Sequence, residues 1–520
     1  MDGHPTQECS RVDAATFEGM ADTHVLAFLR CRQPPSAAGA AVGCCAVATL
    51  LSRRLPGQAA RPSGPNPRRR TELGLLVLST LIIVAAYVLA AAGTTAKIPA
   101  DLGPFLAIVI GLGLAAHIAN RFYAPDANPV LLPLVSLLNG MGYVMIARIG
   151  PPKYATAQAG WTAVGVGAYI VTLLVVRRSR DLDRYRYLLL LGAVVFMLSP
   201  LIPHLGNAVS TQNSTVKLWV RIGPISGQPV ELAKLALCIF FASYFAEKRE
   251  LLSVATYRLG NRLVLDPRPL GPILLAWGFA MLVLGAERDI GFALLIFVLF
   301  IAMLWLATGR GLYVVVGFIM FAVGALIASH LFSQVDARVE NWLHPWTRVN
   351  LPVGGSGQLV SGLYGMGTGG LTGTGLGFGL LGNSLPGHVI IPEVNSDYIF
   401  AAFGTEMGLL GTTLILFCFV LIVGAGLRIA QTARSEFAKL LAAGLTVIIG
   451  MQAFFIMAGI VRLLPLTGIT LPFMAYGGSS LVANYVLIAL LMRISDEGER
   501  AIVAAQATAT PVASAGGPSG

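Results

Sequence analysis

Three consecutive stretches decide the fold: LYVVVGFIMFAVGALIASHLF (312–332), SQVDARVENWLHPWTRVNLPVGGSGQLVSGLYGMGTGGLTGTGLGFGLLGNSLPGHVIIPEV (333–394) and NSDYIFAAFGTEMGLLGTTLILFCFVLIVGAGL (395–427). The outer two are apolar runs long enough to cross a hydrocarbon core, which takes about 20 helical residues. The middle stretch is 62 residues long and carries fourteen glycines between Gly354 and Gly387. A connection of that length in a compact protein is functional or disordered. This one keeps Trp342, Trp346, Leu359, Leu363, Tyr364, Leu376, Phe378 and Leu380, so it can bury surface. It reads as a folded cap over a membrane-embedded site.

The rest of the chain has the same character. Of 520 residues, 55% are hydrophobic and only 12% charged, with a mean hydropathy of +0.74. Soluble domains carry roughly 25% charged residues. Further apolar runs lie at about 73–92, 102–119, 130–148, 157–176, 187–203, 229–246, 270–286, 289–307, 437–460 and 474–492. With the two quoted runs they predict an all-α polytopic membrane protein of about 12 transmembrane helices, since only helices or closed barrels satisfy their backbone in lipid. Residues 1–70 differ: rich in Ala, Pro, Gly and Arg, they read as a disordered cytoplasmic tail. The run 37–51 within them is too short to span.

Lys and Arg set the orientation. With the N-terminus inside, the inner flanks hold roughly twice as many of them as the outer connections, which predicts both termini in the cytoplasm. Basic loops such as 177–186 then explain most of the net charge of +11 as topology signal and lipid contact, and nucleic acid is excluded as a partner. Segments 204–228, 333–394 and 462–478 all fall on the outer face. Of six cysteines, Cys9, Cys31, Cys44 and Cys45 lie in the tail, and Cys238 and Cys418 inside apolar runs, so no disulfide framework or zinc spacing is present. The GxSxG, HExxH and GxxxxGK[ST] patterns are absent, which removes the serine-hydrolase, zincin and P-loop readings.

Charged residues punctuate the outer ends of several spans. In WVRIGPISGQPVELAK (219–234), Gly223, Pro224, Gly227 and Pro229 break helix, and Glu231 and Lys234 then share one helix face at i, i+3. Ionisable groups within a span are costly and mark either a structural ion pair or a site, and here the two readings weigh about evenly. Glu287-Arg288-Asp289 reads first as an interfacial turn. Glu393 and Asp397 open the run 395–427, where Asp397 also suits a helix N-terminus through the dipole alone. The glycines permit close backbone approach to a ligand or to another helix. Pro465, Gly468, Pro472 and Gly477-Gly478 make a broken entry into the last span, of the kind tolerated where it lines a cavity.

Together KLWVRIGPISGQPVELAKL (217–235), ERDIG (287–291), GTGGLTGTGLG (367–377), PEVNSDYIFAAFGTEMGLLG (392–411) and RLLPLTGITLPFMAYGGSS (462–480) resemble the SEDS family (shape, elongation, division and sporulation) of the RodA/FtsW kind. The resemblance implies a ten-helix SEDS core over 126–497 with a large extracellular loop at 333–394. The helices of 71–125 would then be two additions, and 498–520 a disordered cytoplasmic tail. It implies a peptidoglycan glycosyltransferase that polymerises lipid II beside a class B penicillin-binding protein in the cell membrane. The implied substrate-binding residues are Lys217, Arg221, Glu231, Lys234, Asp289, Gln358, Arg462, Tyr476, Ser479 and Ser480. The implied carboxylates are Asp336, Glu340, Glu393 and Asp397, with the base left open among them. His344 and Asn350 stand where the family pattern places acids, and Thr405 replaces one Glu of a Gly-Glu-Glu. A neutral His or Asn cannot serve as a carboxylate base, so a degenerate scaffold that binds lipid II or the penicillin-binding protein is the alternative, with lipid II transport a third. No organic cofactor is implied. A divalent cation, magnesium or manganese, is an open candidate for offsetting pyrophosphate charge.

Overall fold

Apolar runs in lipid must close their hydrogen bonds within themselves. In the computed structural model they do so as helices. The described residues are 67–95, 102–202, 206–211, 214–222, 225–253, 256–259, 262–265, 278–279, 289–347, 356–379, 391 and 393–509, and they fall within one compact unit, Pro65–Gly520. The N-terminal tail, Asn350 and nearly all of the run 270–286 lie outside them.

Among the described residues the longer helices are α1 (Pro67–Thr95), α2 (Leu102–Tyr123), α3 (Leu131–Ile149), α4 (Pro152–Val175), α5 (Arg186–Leu198), α6 (Val230–Ser253), α7 (Ile290–Thr308), α8 (Leu312–Leu331), α9 (Ser333–Leu343), α10 (Gly357–Gly369), α11 (Ile399–Thr432), α12 (Glu436–Ile460) and α13 (Gly478–Ala509). Among the described residues nine are long and apolar enough to cross a membrane: α1 to α4, α7, α8 and α11 to α13. Every expected run but 270–286 coincides with a helix. Two of these miss the span criterion: α5 has 13 residues, and α6 carries Glu231, Lys234 and the charged end 247–250. At the C-terminus, α13 stays helical to Ala509, past the expected start of a tail at 498. Arg500 pairs with Asp496 at 2.9 Å there, and Glu499 with Arg68 at 2.7 Å.

Two small antiparallel sheets interrupt the helical pattern. The first joins β1 (Gly206–Thr211), β2 (Ser214–Ile222) and β3 (Ile225–Gly227), with Asn207 opposite Trp219 and Arg221 opposite Ser226. Its signal was in the sequence: Val216, Leu218, Val220 and Ile222 alternate with Lys217, Trp219 and Arg221, the period of a strand. The second pairs β4 (Thr256–Leu259) with β5 (Arg262–Leu265).

The two N-terminal helices are built into the bundle. Tyr87, Phe105 and Tyr143 stack in sequence across α1, α2 and α3, with centroids 4.2 and 5.1 Å apart. Glu72, fully buried, accepts from Arg69 and Asn120 and pairs with His117 at 2.8 Å. Tyr169 on α4 donates to Asn120 at 2.5 Å. Arg493 on α13 donates to the carbonyls of Tyr123, Leu173 and Val176. These bonds leave the buried charges paired, which they must be to persist in an apolar interior.

The glycine-rich stretch docks into a break in α11. Gly408 leaves helical geometry (φ 63°, ψ −162°), opening the backbone of the preceding turn. The loop closes it: Thr374 N donates to Thr405 O (3.0 Å), Gly375 N to Glu406 O (2.9 Å), and Leu409 N and Leu410 N donate back to Gly370 O (3.0 Å) and Leu371 O (3.1 Å). A Cβ at Gly373 would overlap the Glu406 carbonyl, and its φ of +84° also excludes most L-residues. Arg148 of α3 fixes the arrangement. Its Nε meets Glu406 Oε1 at 2.6 Å, and its Nη2 donates to Gly379 O at 2.5 Å. Glu406 Oε2 in turn accepts from Gly377 N at 3.1 Å. Gly369, Gly373, Gly377 and Gly379 therefore serve approach to a helix, one of the two uses open from sequence.

Candidate functional site

The site begins where α6 starts. Lys234 Nζ lies 2.5 Å from Glu231 Oε2 and donates to Gln452 Oε1 of α12 at 3.0 Å. Both charges are buried, Lys234 at 1% exposure. A buried pair holds only if extra hydrogen bonds help offset desolvation, and Gln452 supplies one. The junction before α6 is pinned by Gln228 N donating to Ser479 Oγ at 3.1 Å.

Asp289 caps α7, its carboxylate accepting from Phe292 N at 3.0 Å. Glu287 and Arg288, the other two residues of the expected turn, lie outside the described residues. Burial pushes the Asp289 carboxyl above the usual range, and the Glu231 charge adds to that, while the Phe292 amide and the Arg338 guanidinium oppose it. Asp397 sits in the turn before α11. There Glu393 has φ +53°, and its carbonyl accepts from Ser396 N (3.1 Å) and Tyr398 N (3.2 Å). Tyr398 occupies the N-cap position without any side-chain cap bond, and Asp397 precedes it by one residue. Part of the Asp397 surface remains open, yet it lies deep among its neighbours. Burial first, then Glu393, raises its carboxyl to about 6, against the pull of Arg338.

The Arg338 charge acts at a distance on both acids. Arg338 sits on the inner face of α9 with Val335, Val339 and Trp342, lining a cavity of about 360 Å³ against Ile290, Phe297, Phe321 and Leu466. Its Nη1 donates to Leu466 O (3.2 Å) and Thr467 O (2.9 Å). One turn on, Trp342 Nε1 donates to Arg462 O (3.1 Å), and Arg462 Nε returns to Trp342 O (2.9 Å). Glu393, Arg462 and Phe473 are the non-glycine residues with positive φ among those described. Each costs about 1–2 kcal/mol, and all three lie in the two segments that border the site.

The remaining expected residues fall in varied places. Asp336 is exposed, and neither it nor Glu340 lies on the cavity face of α9. His344 is exposed just after α9. Lys217 is on β2 with its side chain outside the described residues, and Arg221 is exposed on the same strand. Gln358 is half-buried in the first turn of α10. Tyr476 stacks on Tyr154 at 4.7 Å and donates its amide to Asn395 O. Ser480 Oγ accepts from Thr470 Oγ1 at 3.0 Å. Tyr476, Ser479, Ser480 and Arg462 thus hold the broken segment 462–480 in place. Sequence reasoning missed Arg338, Gln452 and the Arg148–Glu406 pair. For Arg338 a signal existed: a cation on the apolar stripe Val335, Val339, Trp342 of an amphipathic helix. Among the described residues no three His, Cys, Asp or Glu side chains gather to hold a metal ion, so no metal site is assigned.

Residues 129–500 match the cell cycle protein family FtsW/RodA/SpoVE. The chain belongs to that family. Family relatives include the peptidoglycan glycosyltransferase RodA of Mycobacterium tuberculosis, 40% identical over 458 residues, covering 86% of this chain and 95% of the relative. RodA of Mycobacterium leprae is 38% identical over 455 residues, covering 86% and 94%. The probable peptidoglycan glycosyltransferase FtsW of Halothiobacillus neapolitanus is 30% identical over 383 residues, covering 71% and 86%. In fold, this FtsW/RodA/SpoVE member resembles a chain solved in a peptidoglycan synthase complex that coordinates polymerization and crosslinking. The TM-score is 0.55 at 20% identity, over 72% of this chain and 98% of the other.

Proposed function

We propose that this protein is a peptidoglycan glycosyltransferase that polymerises lipid II in the cell membrane. The observation that carries this reading is the pair of deep-lying acids Asp397 and Asp289 within electrostatic reach of Arg338, which lines an apolar cavity, in a chain 40% identical to mycobacterial RodA. Lipid II presents a long prenyl chain, a pyrophosphate and sugars. An apolar cavity beside a guanidinium suits the first two, because Arg pairs well with phosphate oxygens.

In the reaction, the 4-hydroxyl of one lipid II attacks C1 of the sugar at the reducing end of a growing chain. Its proton passes to a carboxylate, the C1–O bond to phosphate breaks, and undecaprenyl pyrophosphate leaves. Asp397 is our choice of base among the acids the sequence left open. Its carboxyl, raised to about 6, is ionised at neutral pH yet basic enough to take a proton, the compromise that general-base catalysis favours. Arg338 offsets charge on the leaving group. Glu231 and Lys234 hold α6 against α12 beneath the site. We place both termini in the cytoplasm and the cavity mouth outside, from the distribution of Lys and Arg, and assign a class B penicillin-binding protein as partner by analogy with the synthase complex.

The test is polymerisation of lipid II by the purified full-length protein with its penicillin-binding protein. Unaltered protein should make glycan strands, and Asp397→Asn should lose at least about 100-fold in rate. Undiminished polymerisation by Asp397→Asn removes Asp397 as base. No glycan from unaltered protein favours the scaffold reading, for which exposed His344 in place of an acid is the one specific observation.

A further inference from the structure

The family match covers residues 129–500, so α1 and α2 lie outside it. The C-terminal end of α1 nevertheless lies against the glycine-rich stretch, backbone to backbone. A Cβ at Gly93 would stand 2.6 Å from the Leu376 carbonyl oxygen and 3.0 Å from Gly377 Cα. From the other side, a Cβ at Gly377, whose φ is +87°, would overlap the Ala90 carbonyl. Ala90, Leu376, Phe403 and Glu406 wall one small void there with Arg148. Gly377 is the meeting point. Its amide donates to Glu406 Oε2 at 3.1 Å, and its carbonyl accepts from Arg148 Nη2 at 3.2 Å.

Glu406 belongs to the short outer piece of α11, 399–407, that the break at Gly408 separates from the rest. Asp397 stands two residues before that piece. Helical geometry does not carry across Gly408, so the piece is placed by its neighbours. One neighbour is α10: a Cβ at Gly362 would stand 2.7 Å from the Tyr398 ring, and one at Gly365 3.0 Å from Thr405 Oγ1. The other is the stretch 369–377, which rests on α1. That helix is itself held fast. Arg68 donates to Asp126 O and to Glu499, each at 2.7 Å, and Tyr87 stacks on Phe105 at 4.2 Å. A side chain added at Gly93 therefore displaces the loop, and with it Glu406.

We infer that α1 is a positioning element: the seat of Gly377 on Ala90 and Gly93 fixes the piece of α11 that follows Asp397. Its catalytic consequence rests on the glycosyltransferase reading; the seat itself does not. Full-length Gly93→Ala and Gly93→Leu in detergent are compared with Gly74→Ala and Gly74→Leu on the same helix, where nothing lies within 4 Å of the new Cβ. Helix propensity favours alanine at both positions, so the seat is what separates them. Amide exchange of 370–379 and 399–410, read by mass spectrometry, should be at least about tenfold faster in Gly93→Leu and less so in Gly93→Ala. Exchange in α12 and α13 should not change, and both Gly74 variants should match the unaltered protein. Acceleration spread over all helices, or none in either Gly93 variant, overturns the inference. In lipid II polymerisation Gly93→Leu should lower kcat about tenfold with KM little changed, because a misplaced base is felt in the transition state. Faster local exchange with an unchanged kcat overturns the positioning role. If the unaltered protein makes no glycan, the polymerase reading falls and the exchange pattern alone decides the seat. If Gly93→Leu does not fold, Gly93→Ala decides in its place.

Discussion

Glu406→Gln should destabilise the protein by about 3–5 kcal/mol, the loss seen when one partner of a buried ion pair is removed. Glu406 and Arg148 are 0% and 8% exposed in their side chains and lie 2.6 Å apart. The variant leaves the Arg148 charge buried without its carboxylate, against the carbonyls of Gly377 and Gly379. Arg148→Met should cost a similar amount, because the buried Glu406 charge then loses its guanidinium and keeps neutral backbone amides such as that of Gly377. If the two residues act as one unit, Arg148→Met with Glu406→Met removes both charges together. Its cost should fall near or below that of either single variant, rather than near the additive sum of about 6–10 kcal/mol. Intrinsic tryptophan fluorescence in detergent, followed against temperature or denaturant, gives the ranking. A double variant whose loss equals the sum of the singles would refute the coupling. So would a Glu406→Gln protein indistinguishable from the parent.

Other outcomes follow from the same geometry. If Asp397 is the base it must be ionised to act, so polymerisation should fall as pH drops through about 6, rather than near 4 as for an ordinary Asp. Glu393→Gln removes the second-largest cause of that rise and should shift the acid limb to lower pH, read from rate against pH. Gly373→Ala meets both a backbone overlap and a φ of +84°, and should cost at least about 1–2 kcal/mol. Gly367→Ala, with nothing within 4 Å of the new Cβ, should be within about 0.5 kcal/mol of neutral. Lys234→Met should lower stability more than Glu231→Leu with Lys234→Met, since the single change strands a buried carboxylate.

The spans were legible because hydropathy is a local property and lipid imposes one solution on it. The Glu231–Lys234 pair was legible for a similar reason, as i, i+3 spacing needs no tertiary knowledge. The small sheet at 206–227 was missed although β2 alternates, because proline and glycine breaks drew the reading toward loop. Arg338 and Gln452 could not be ranked in advance. Arg338 matters because the carbonyls of Leu466 and Thr467 come to it across 128 and 129 residues of chain. Gln452 matters because it meets Lys234 across 218. Asp336 and Glu340 looked better than Arg338 in sequence, being acids in the right stretch, yet helical phase carries them off the face that lines the cavity.

The splice between the glycine-rich stretch and the broken helix α11 also bears on the order of assembly. Residues 369–379 precede 399–432 in the chain, so during synthesis the splint exists before the fracture it mends. A helix interrupted at Gly408 would enter the bilayer with amides and carbonyls unmet, at a cost of several kcal/mol for each. Its outer turn can settle only where the earlier segment already waits. The four bonds just described across the splice are between backbone atoms, so apart from the Glu406–Arg148 brace, the Thr374 hydroxyl and the glycines that let two strands of main chain touch, the joint reads the path of the chain. Sequence can therefore drift at Leu371, Thr372 or Phe378 while insertion order stays enforced. A change at Gly373 or Gly408 should appear first as a protein that inserts poorly, before any loss of catalysis can be measured.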